Sequence, residues 1–171
     1  MFEDEARIGQ KGRVCHRWFR RGRRPPGPAD QRTTFAYIYA AVEPGTETAF
    51  ALVLPEVSTR AMQAFLDGLA ATLAEDEHVL LVLDRAGWHG ANALVVPANI
   101  TLAAMPPRSP ELNPVERLWL YLKERFLSHR LLEDYTAIVD AACVAWRRVT
   151  SEPGRVASLC SYPWIIERVS S

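Results

Sequence analysis

Runs of β-branched and aromatic residues in the first third of the chain predict β-strands. Residues 33–42 (TTFAYIYAAV) are rich in these residue types and partly alternate between the two faces of a strand. A turn at residues 43–46 (EPGT) leads into a second such run at residues 47–54, so we predict an antiparallel hairpin. We also predict a short strand at residues 14–19 and a strand-like opening segment that contains Asp4.

Strand and helix signals alternate in the rest of the chain. Residues 78–83 (HVLLVL) form a continuous apolar run, which is typical of a parallel strand covered on both faces. A second apolar run occupies residues 100–105, and helical spacing marks residues 91–96, 113–126 and 135–149. A further helix is predicted behind Ser58, which can cap it, with the apolar positions Ala61, Phe65, Leu66, Leu69 and Leu73. This order predicts an α/β fold with a mixed sheet flanked by helices.

The composition excludes several classes of protein. The chain has 171 residues, of which 49% are hydrophobic and 23% charged, so it is neither disordered nor of low complexity. It shows no apolar run long enough to span a membrane, and its first ten residues are acidic rather than signal-like, so we expect a cytoplasmic protein without a membrane partner. Cys15, Cys143 and Cys160 are too scattered for a disulfide framework or a zinc site, and we expect reduced thiols.

Positive charge is concentrated near the start of the chain. The totals balance at 20 Lys and Arg against 20 Asp and Glu, but residues 1–34 carry nine basic and four acidic residues, which leaves eleven and sixteen for the remainder. A basic segment beside an acidic body suggests local contact with a polyanion. The alternative is an arginine loop that is simply solvated.

Three carboxylates occupy positions that chain geometry could direct to one point: Asp4 in the opening segment, Asp84 at the end of an apolar run, and Glu116 in the first turn of a helix. Clustered carboxylates repel unless a cation lies among them, and hard oxygen ligands select Mg²⁺ or Mn²⁺. A pair of such ions about 3.5–4 Å apart can activate an attacking oxygen at a phosphodiester and stabilise the leaving one.

Each of these residues also has a simpler interpretation. Asp4 is compatible with a surface charge near a frayed terminus, and Asp84 with a cap on a loop or helix. Asn113, Pro114 and Glu116 match a capping-box pattern that needs no metal. For His89, in the sequence GWHG, we favour a role in orienting a neighbouring carboxylate or capping a turn over a role as a base or metal ligand.

Three segments, taken in order, resemble a known family. They are residues 2–5 (FEDE), 79–89 (VLLVLDRAGWH) and 105–123 (MPPRSPELNPVERLWLYLK). Together they are similar to the catalytic core of insertion-sequence transposases of the mariner-related superfamily, the DDE superfamily endonucleases. This resemblance implies a ribonuclease H-like fold and an Asp-Asp-Glu triad of catalytic, metal-binding residues at Asp4, Asp84 and Glu116, with His89 and Asn113 in supporting roles.

Two features depart from the family pattern. Thirty-one residues separate Asp84 from Glu116, slightly fewer than is usual in the superfamily, which suggests a trimmed turn before the helix. The chain also begins almost on the first catalytic strand. We therefore expect residues 1–171 to be a single ribonuclease H-like DDE catalytic domain, with the family's N-terminal helix-turn-helix DNA-binding region absent.

The resemblance also implies an activity and its partners. The family uses two Mg²⁺ ions, with Mn²⁺ as a substitute, to hydrolyse DNA at a transposon end and then join the freed 3′-hydroxyl to target DNA. The expected partners are DNA and either a second copy of the chain or a protein that supplies end recognition, in the bacterial cytosol or nucleoid. Phosphate contacts are expected from the basic residues Lys11, Arg13, Arg17, Arg20, Arg21, Arg23 and Arg24.

Two other functions remain open at this point. One is a non-catalytic remnant or regulatory transposase fragment, which is consistent with the missing end-recognition region. The other is a stand-alone ribonuclease H-like nuclease that acts on RNA hybrids or junctions. The intact triad argues against the first, and the S-P-E-L-N-P-x-E segment argues against the second.

Overall fold

A computed structural model describes residues 1–10, 20–23, 32–87, 93–128 and 130–165. In chain order these residues form β1 (Phe2–Gly9), β2 (Phe35–Val42), β3 (Ala49–Leu54), α1 (Thr59–Ala70), β4 (Val79–Leu83), β5 (Ile100–Ala104), a 3₁₀ turn (Pro110–Leu112), α2 (Val115–Leu122), a π-helical turn (Lys123–Leu127), α3 (Tyr135–Ser151) and α4 (Arg155–Cys160). Within these ranges no helix is both long and apolar enough to cross a membrane.

The strands form one mixed sheet in the order β3-β2-β1-β4-β5. β2 pairs antiparallel with both β1 and β3, so the predicted hairpin is confirmed. β4 lies parallel to β1, with Phe2 opposite Val82, and parallel to β5 along its whole length. The central strand is therefore β1, the opening segment of the chain.

Helices cover both faces of this sheet and bury a separate apolar cluster on each. On one face α1 contributes Met62, Phe65, Leu66 and Leu69, which pack against Tyr39, Ala41, Leu81 and Leu83. On the other face α2, α3 and α4 pack over the inward side chains of β1 and β2, including Ala6, Ile8, Ile38 and Val42. The predicted α/β architecture is confirmed. Because strand residues alternate between faces, Asp4 shares the α2 face with Ala6 and Ile8.

One prediction about β4 is wrong. Its sequence predicts burial on both faces, but only Leu81 and Leu83 are buried, and Leu80 is 53% exposed. The reason is that α2 and α3 pack mainly over β1, β2 and β3. The α2 face is therefore open beside the end of β4, where Asp84 lies.

Several predicted boundaries shift in the structure. Ser58 caps α1 as predicted, by accepting a hydrogen bond from the N–H of Ala61 at 3.2 Å, but the helix ends before Leu73. The predicted helix at 113–126 becomes α2 and the π-helical turn, and α3 runs two residues beyond its predicted end at 149. The short helix α4 was not predicted. The predicted strand at 14–19 lies outside the described residues.

The predicted helix at residues 91–96 is wrong over its described part, residues 93–96, which have an irregular backbone. The Gln63 side chain on α1 provides the physical reason. Its Nε2 donates to the Val95 carbonyl and its Oε1 accepts from the Val95 N–H, both at 2.8 Å. A side chain thereby satisfies the backbone groups that a helix would otherwise have paired.

Candidate active site

Asp4 and α2 are joined by a direct side-chain contact. The indole Nε1 of Trp119 donates a hydrogen bond to Asp4 Oδ2 at 2.9 Å, and Trp119 itself is only 2% exposed. Glu116 lies three residues earlier on the same helix, so it shares a side of α2 with Trp119. The contact therefore brings the first turn of α2, with Glu116, toward the carboxylate on β1.

The electrostatics of Asp4 reflect this proximity. Burial, and then the charge of Glu116, raise the pKa of Asp4 from 3.8 to about 7, although the Trp119 hydrogen bond acts in the opposite direction. Glu3, on the other face of β1, is completely buried, and burial together with the charges of Glu5, Asp4 and Asp84 raises its pKa well above the usual value. Acidic groups are thus concentrated at the start of the central strand, where their charged forms are disfavoured.

Asn113 fixes the start of α2 to β1. It is 2% exposed, its Nδ2 donates to the Glu3 carbonyl at 2.9 Å, and its Oδ1 accepts from the Val115 N–H at 3.1 Å. The backbone N–H of Asn113 donates to the Pro110 carbonyl. The reciprocal half of the predicted capping box, in which Glu116 would bind that N–H, is therefore not needed, and the Glu116 side chain is exposed.

Replacing Asn113 by Ala is expected to lower the free energy of unfolding by about 2–3 kcal/mol, because it removes two hydrogen bonds in a buried site. Urea denaturation monitored by tryptophan fluorescence measures this loss. Asn99→Ala is the matched control, since the Asn99 side chain makes a single partly buried bond to the Ala70 carbonyl. An Asn113 variant no less stable than the Asn99 variant would contradict the anchoring role.

Asp84 directly follows β4, the strand that pairs in parallel with β1. The pairing of Phe2 with Val82 in parallel strands places Asp84, two residues further on, level with Asp4. The Asp84 side chain is exposed, and its Oδ1 accepts a hydrogen bond from the Ala86 N–H at 2.7 Å. In this conformation Asp84 caps the turn after β4.

The donor chemistry at Asp4 and Glu116 fits a hard divalent cation. The two carboxylates interact in a partly buried place, and a cation between them would relieve their repulsion. Among the described residues, no group of three or more His, Cys, Asp or Glu side chains is arranged to hold a metal ion. Convergence of Asp84 with the other two carboxylates therefore stays a prediction.

Comparison with known proteins identifies the family. The model of the family described as DDE superfamily endonuclease matches residues 1–139, which is most of the chain. This chain belongs to the DDE superfamily endonucleases. The uncharacterized protein y4pE/y4sA of Sinorhizobium fredii (strain NBRC 101917 / NGR234) is 42% identical over 130 residues, which cover 76% of this chain and 96% of the relative.

Solved structures of Mos1 share the fold. A Mos1 strand transfer complex aligns with a TM-score of 0.65 at 16% identity, covering 93% of this chain and 49% of the Mos1 chain. The Mos1 mariner paired end complex with Mn aligns with a TM-score of 0.59 at 17% identity, covering 94% and 55%. This DDE family member therefore has the ribonuclease H-like fold that the sequence predicted, and it spans about half the length of the Mos1 chains it matches.

The structure describes only some of the predicted site residues. His89, Lys11, Arg13, Arg17 and Arg24 lie outside the described residues, whereas the other predicted DNA contacts are exposed: Arg20, Arg21 and Arg23. The sequence did not predict the contact between Trp119 and Asp4. The position of Trp119 three residues after Glu116 was the one available signal, because the two residues share a side of α2.

Proposed function

We propose that this chain is the metal-dependent DNA endonuclease and strand-transfer domain of a cut-and-paste transposase. The hydrogen bond from Trp119 to Asp4, which joins β1 to the helix that carries Glu116, is the observation that carries the proposal. Asp84 follows the neighbouring strand β4 at about the level of Asp4, and Leu80 on the α2 face of β4 is exposed. We infer that Asp84 converges with Asp4 and Glu116 at this edge of the sheet when metal binds.

In the proposed mechanism, Asp4, Asp84 and Glu116 would hold two Mg²⁺ ions, for which Mn²⁺ could substitute. Such ions supply Lewis-acid activation of an attacking oxygen and stabilise the leaving oxygen of a phosphodiester. Mos1 structures described as paired end complexes with Mn and with Mg support this choice of metal. Hard carboxylate oxygens are the donors that these cations prefer.

Two further residues of the chain position the proposed metal ligands. Trp119 orients the Asp4 carboxylate, and Asn113 holds the first turn of α2, with Glu116, against the central strand. In the proposed reaction, water first hydrolyses a phosphodiester bond at the transposon end. The 3′-hydroxyl that this step frees then attacks a phosphodiester bond of the target DNA. Both steps proceed without a covalent bond between protein and DNA.

DNA is the proposed substrate, both as transposon ends and as target. Mos1 structures described as a paired-end complex with the left transposon end and as a strand transfer complex support this assignment. We further propose that the catalytic domain acts as a homodimer, or with a partner that supplies end recognition, because two ends must be brought together.

The direct test is cleavage of DNA by the purified chain. Supercoiled plasmid incubated with the wild-type protein is expected to be nicked in millimolar Mg²⁺ or Mn²⁺ and to stay intact in EDTA. Binding of DNA without cleavage under any divalent metal would contradict the proposal and support a non-catalytic transposase fragment. Preferential cleavage of RNA–DNA hybrids would support a stand-alone ribonuclease H-like nuclease instead.

The basic segment between β1 and β2 is proposed to contact DNA phosphates. Replacing Arg20, Arg21, Arg23 and Arg24 by Ala is expected to weaken duplex binding for all sequences, because each lost contact lowers the log–log salt slope by about 0.9. The slope would therefore fall by up to about 3.6, while stability changes by less than about 0.5 kcal/mol per substitution. Fluorescence anisotropy across a KCl series measures the slope, and wild-type binding by the quadruple variant would show that these arginines are only solvated.

A further inference from the structure

A cleft of about 350 Å³ opens beside Asp84. One wall is formed by the residues that follow β4, and the other by the loop that leads from β5 to the 3₁₀ turn. Two arginines and one carboxylate share the cleft, whose lining includes Asp84, Arg85, Met105, Pro107, Arg108 and Ser109.

The loop from β5 is held in place by several constraints. Met105 extends the ladder between β4 and β5, with its N–H donating to the Leu83 carbonyl at 2.8 Å. The Arg85 Nε donates to the Met105 carbonyl at 3.1 Å, which ties the two walls of the cleft together. Pro106, Pro107 and Pro110 fix the backbone φ angle at three nearby positions. The loop therefore presents its side chains in a preorganised arrangement.

Arg108 lies at the tip of this loop in an unusual backbone conformation. Its φ of +58° is in the left-handed region, and no other non-glycine residue in the described ranges has a positive φ. Glycine or asparagine would adopt this conformation at lower cost than arginine. Such strain persists where the surrounding structure imposes it, and it is concentrated at functional sites. The presence of arginine, rather than glycine or asparagine, at this strained residue therefore favours a function for its charged side chain.

We propose that Arg108 binds a backbone phosphate of the DNA strand that passes through this cleft beside Asp84. A guanidinium presents a fork of donors that matches phosphate oxygens, and Arg108 is exposed to solvent. A polyanion that approaches a cluster of carboxylates also needs a compensating positive charge. This inference rests on the proposed function, because it assumes that the open face beside Asp84 receives DNA.

The test compares Arg108→Gly and Arg108→Asn with the wild type by anisotropy on a labelled random-sequence DNA duplex in EDTA, which separates binding from cleavage. Both variants tolerate a positive φ but lack the charge. We expect the dissociation constant to rise roughly tenfold, as for one lost charge-assisted contact, and the salt slope to fall by about 0.9. Arg108→Lys keeps the positive charge and should recover part of the affinity. Arg60→Ala is the control: Arg60 is exposed on α1, and its variant should bind DNA as the wild type does.

Thermal melting distinguishes this role from a structural one. Arg108→Gly is expected to melt at the wild-type temperature or up to about 4 °C higher, because it relieves the backbone strain. Wild-type DNA binding by both variants would overturn the inference while leaving the proposed function intact. The inference would also be overturned if the variants melt at a lower temperature and lose DNA affinity only in proportion to that loss of stability. Arg108 would then stabilise the fold rather than bind DNA. A wild-type chain that does not bind DNA would overturn both proposals.

Discussion

Glu116→Gln and Asp84→Asn are each expected to lower the rate of metal-dependent DNA cleavage by about 10³-fold or more. Each substitution removes one negative charge from the proposed donor set with almost no change in side-chain size. Glu116 and Asp84 are both exposed, so the fold should be preserved. Initial rates of plasmid nicking measure the effect, with thermal melts to confirm that each variant is folded.

Glu111→Gln is the matched control for these two variants. Glu111 is an exposed carboxylate in the 3₁₀ turn, five residues before Glu116, and it has no proposed role in metal binding. Its variant should cut DNA at the wild-type rate. Equal loss of cleavage in the Glu111 and Glu116 variants would mean that the activity responds to surface charge, and it would contradict the assignment of Glu116.

Asp4→Asn is expected to stabilise the metal-free protein above neutral pH. Below about pH 4 the Asp4 carboxyl is protonated in both the folded and unfolded states, so its shifted pKa has no effect on stability. As the pH rises toward 7, the unfolded state loses this proton while the folded state, with a pKa of about 7, retains it. The free energy of unfolding of the wild type therefore falls across this window, by up to about 4 kcal/mol.

The amide oxygen that Asp4→Asn introduces can still accept the Trp119 hydrogen bond, so the comparison isolates the charge. Urea denaturation in EDTA at a series of pH values should show equal stability near pH 4 and a more stable variant above about pH 7. Parallel pH curves for wild type and Asp4→Asn would contradict the destabilising effect of the Asp4 charge.

Millimolar Mn²⁺ should raise the melting temperature of the wild type, because bound metal relieves the carboxylate repulsion. The Asp84→Asn variant should lose most of that increase in melting temperature.

Most of the fold can be predicted from local sequence patterns. The β2–β3 hairpin is predictable because its strand residues and its turn are contiguous in sequence, and α1 because Ser58 and the helical spacing agree. The exposed face of β4 is not predictable in the same way, since the exposure of Leu80 depends on where α2 and α3 lie in space. The backbone of residues 93–96 likewise depends on Gln63, some thirty positions earlier.

The candidate site shows the same division. The three carboxylates can be predicted from the family motif, but the side chains that position Asp4 and Glu116 cannot. Trp119 meets Asp4 across 115 positions of sequence, and Asn113 meets the Glu3 carbonyl across 110. No local spacing rule encodes such contacts, because they depend on which strand becomes the centre of the sheet. The capping-box pattern also predicted a local role for Glu116 where the structure uses a backbone bond to Pro110 instead.

A crystal structure of the chain grown with Mn²⁺, with the metal located by its anomalous scattering, tests the central claim most directly. The account predicts Mn²⁺ coordinated by carboxylate oxygens of Asp4, Asp84 and Glu116, on the face of the sheet that α2 covers. Mn²⁺ bound only by other residues would contradict it. So would a structure at saturating Mn²⁺ in which Asp84 still caps the Ala86 N–H and no metal lies between Asp4 and Glu116.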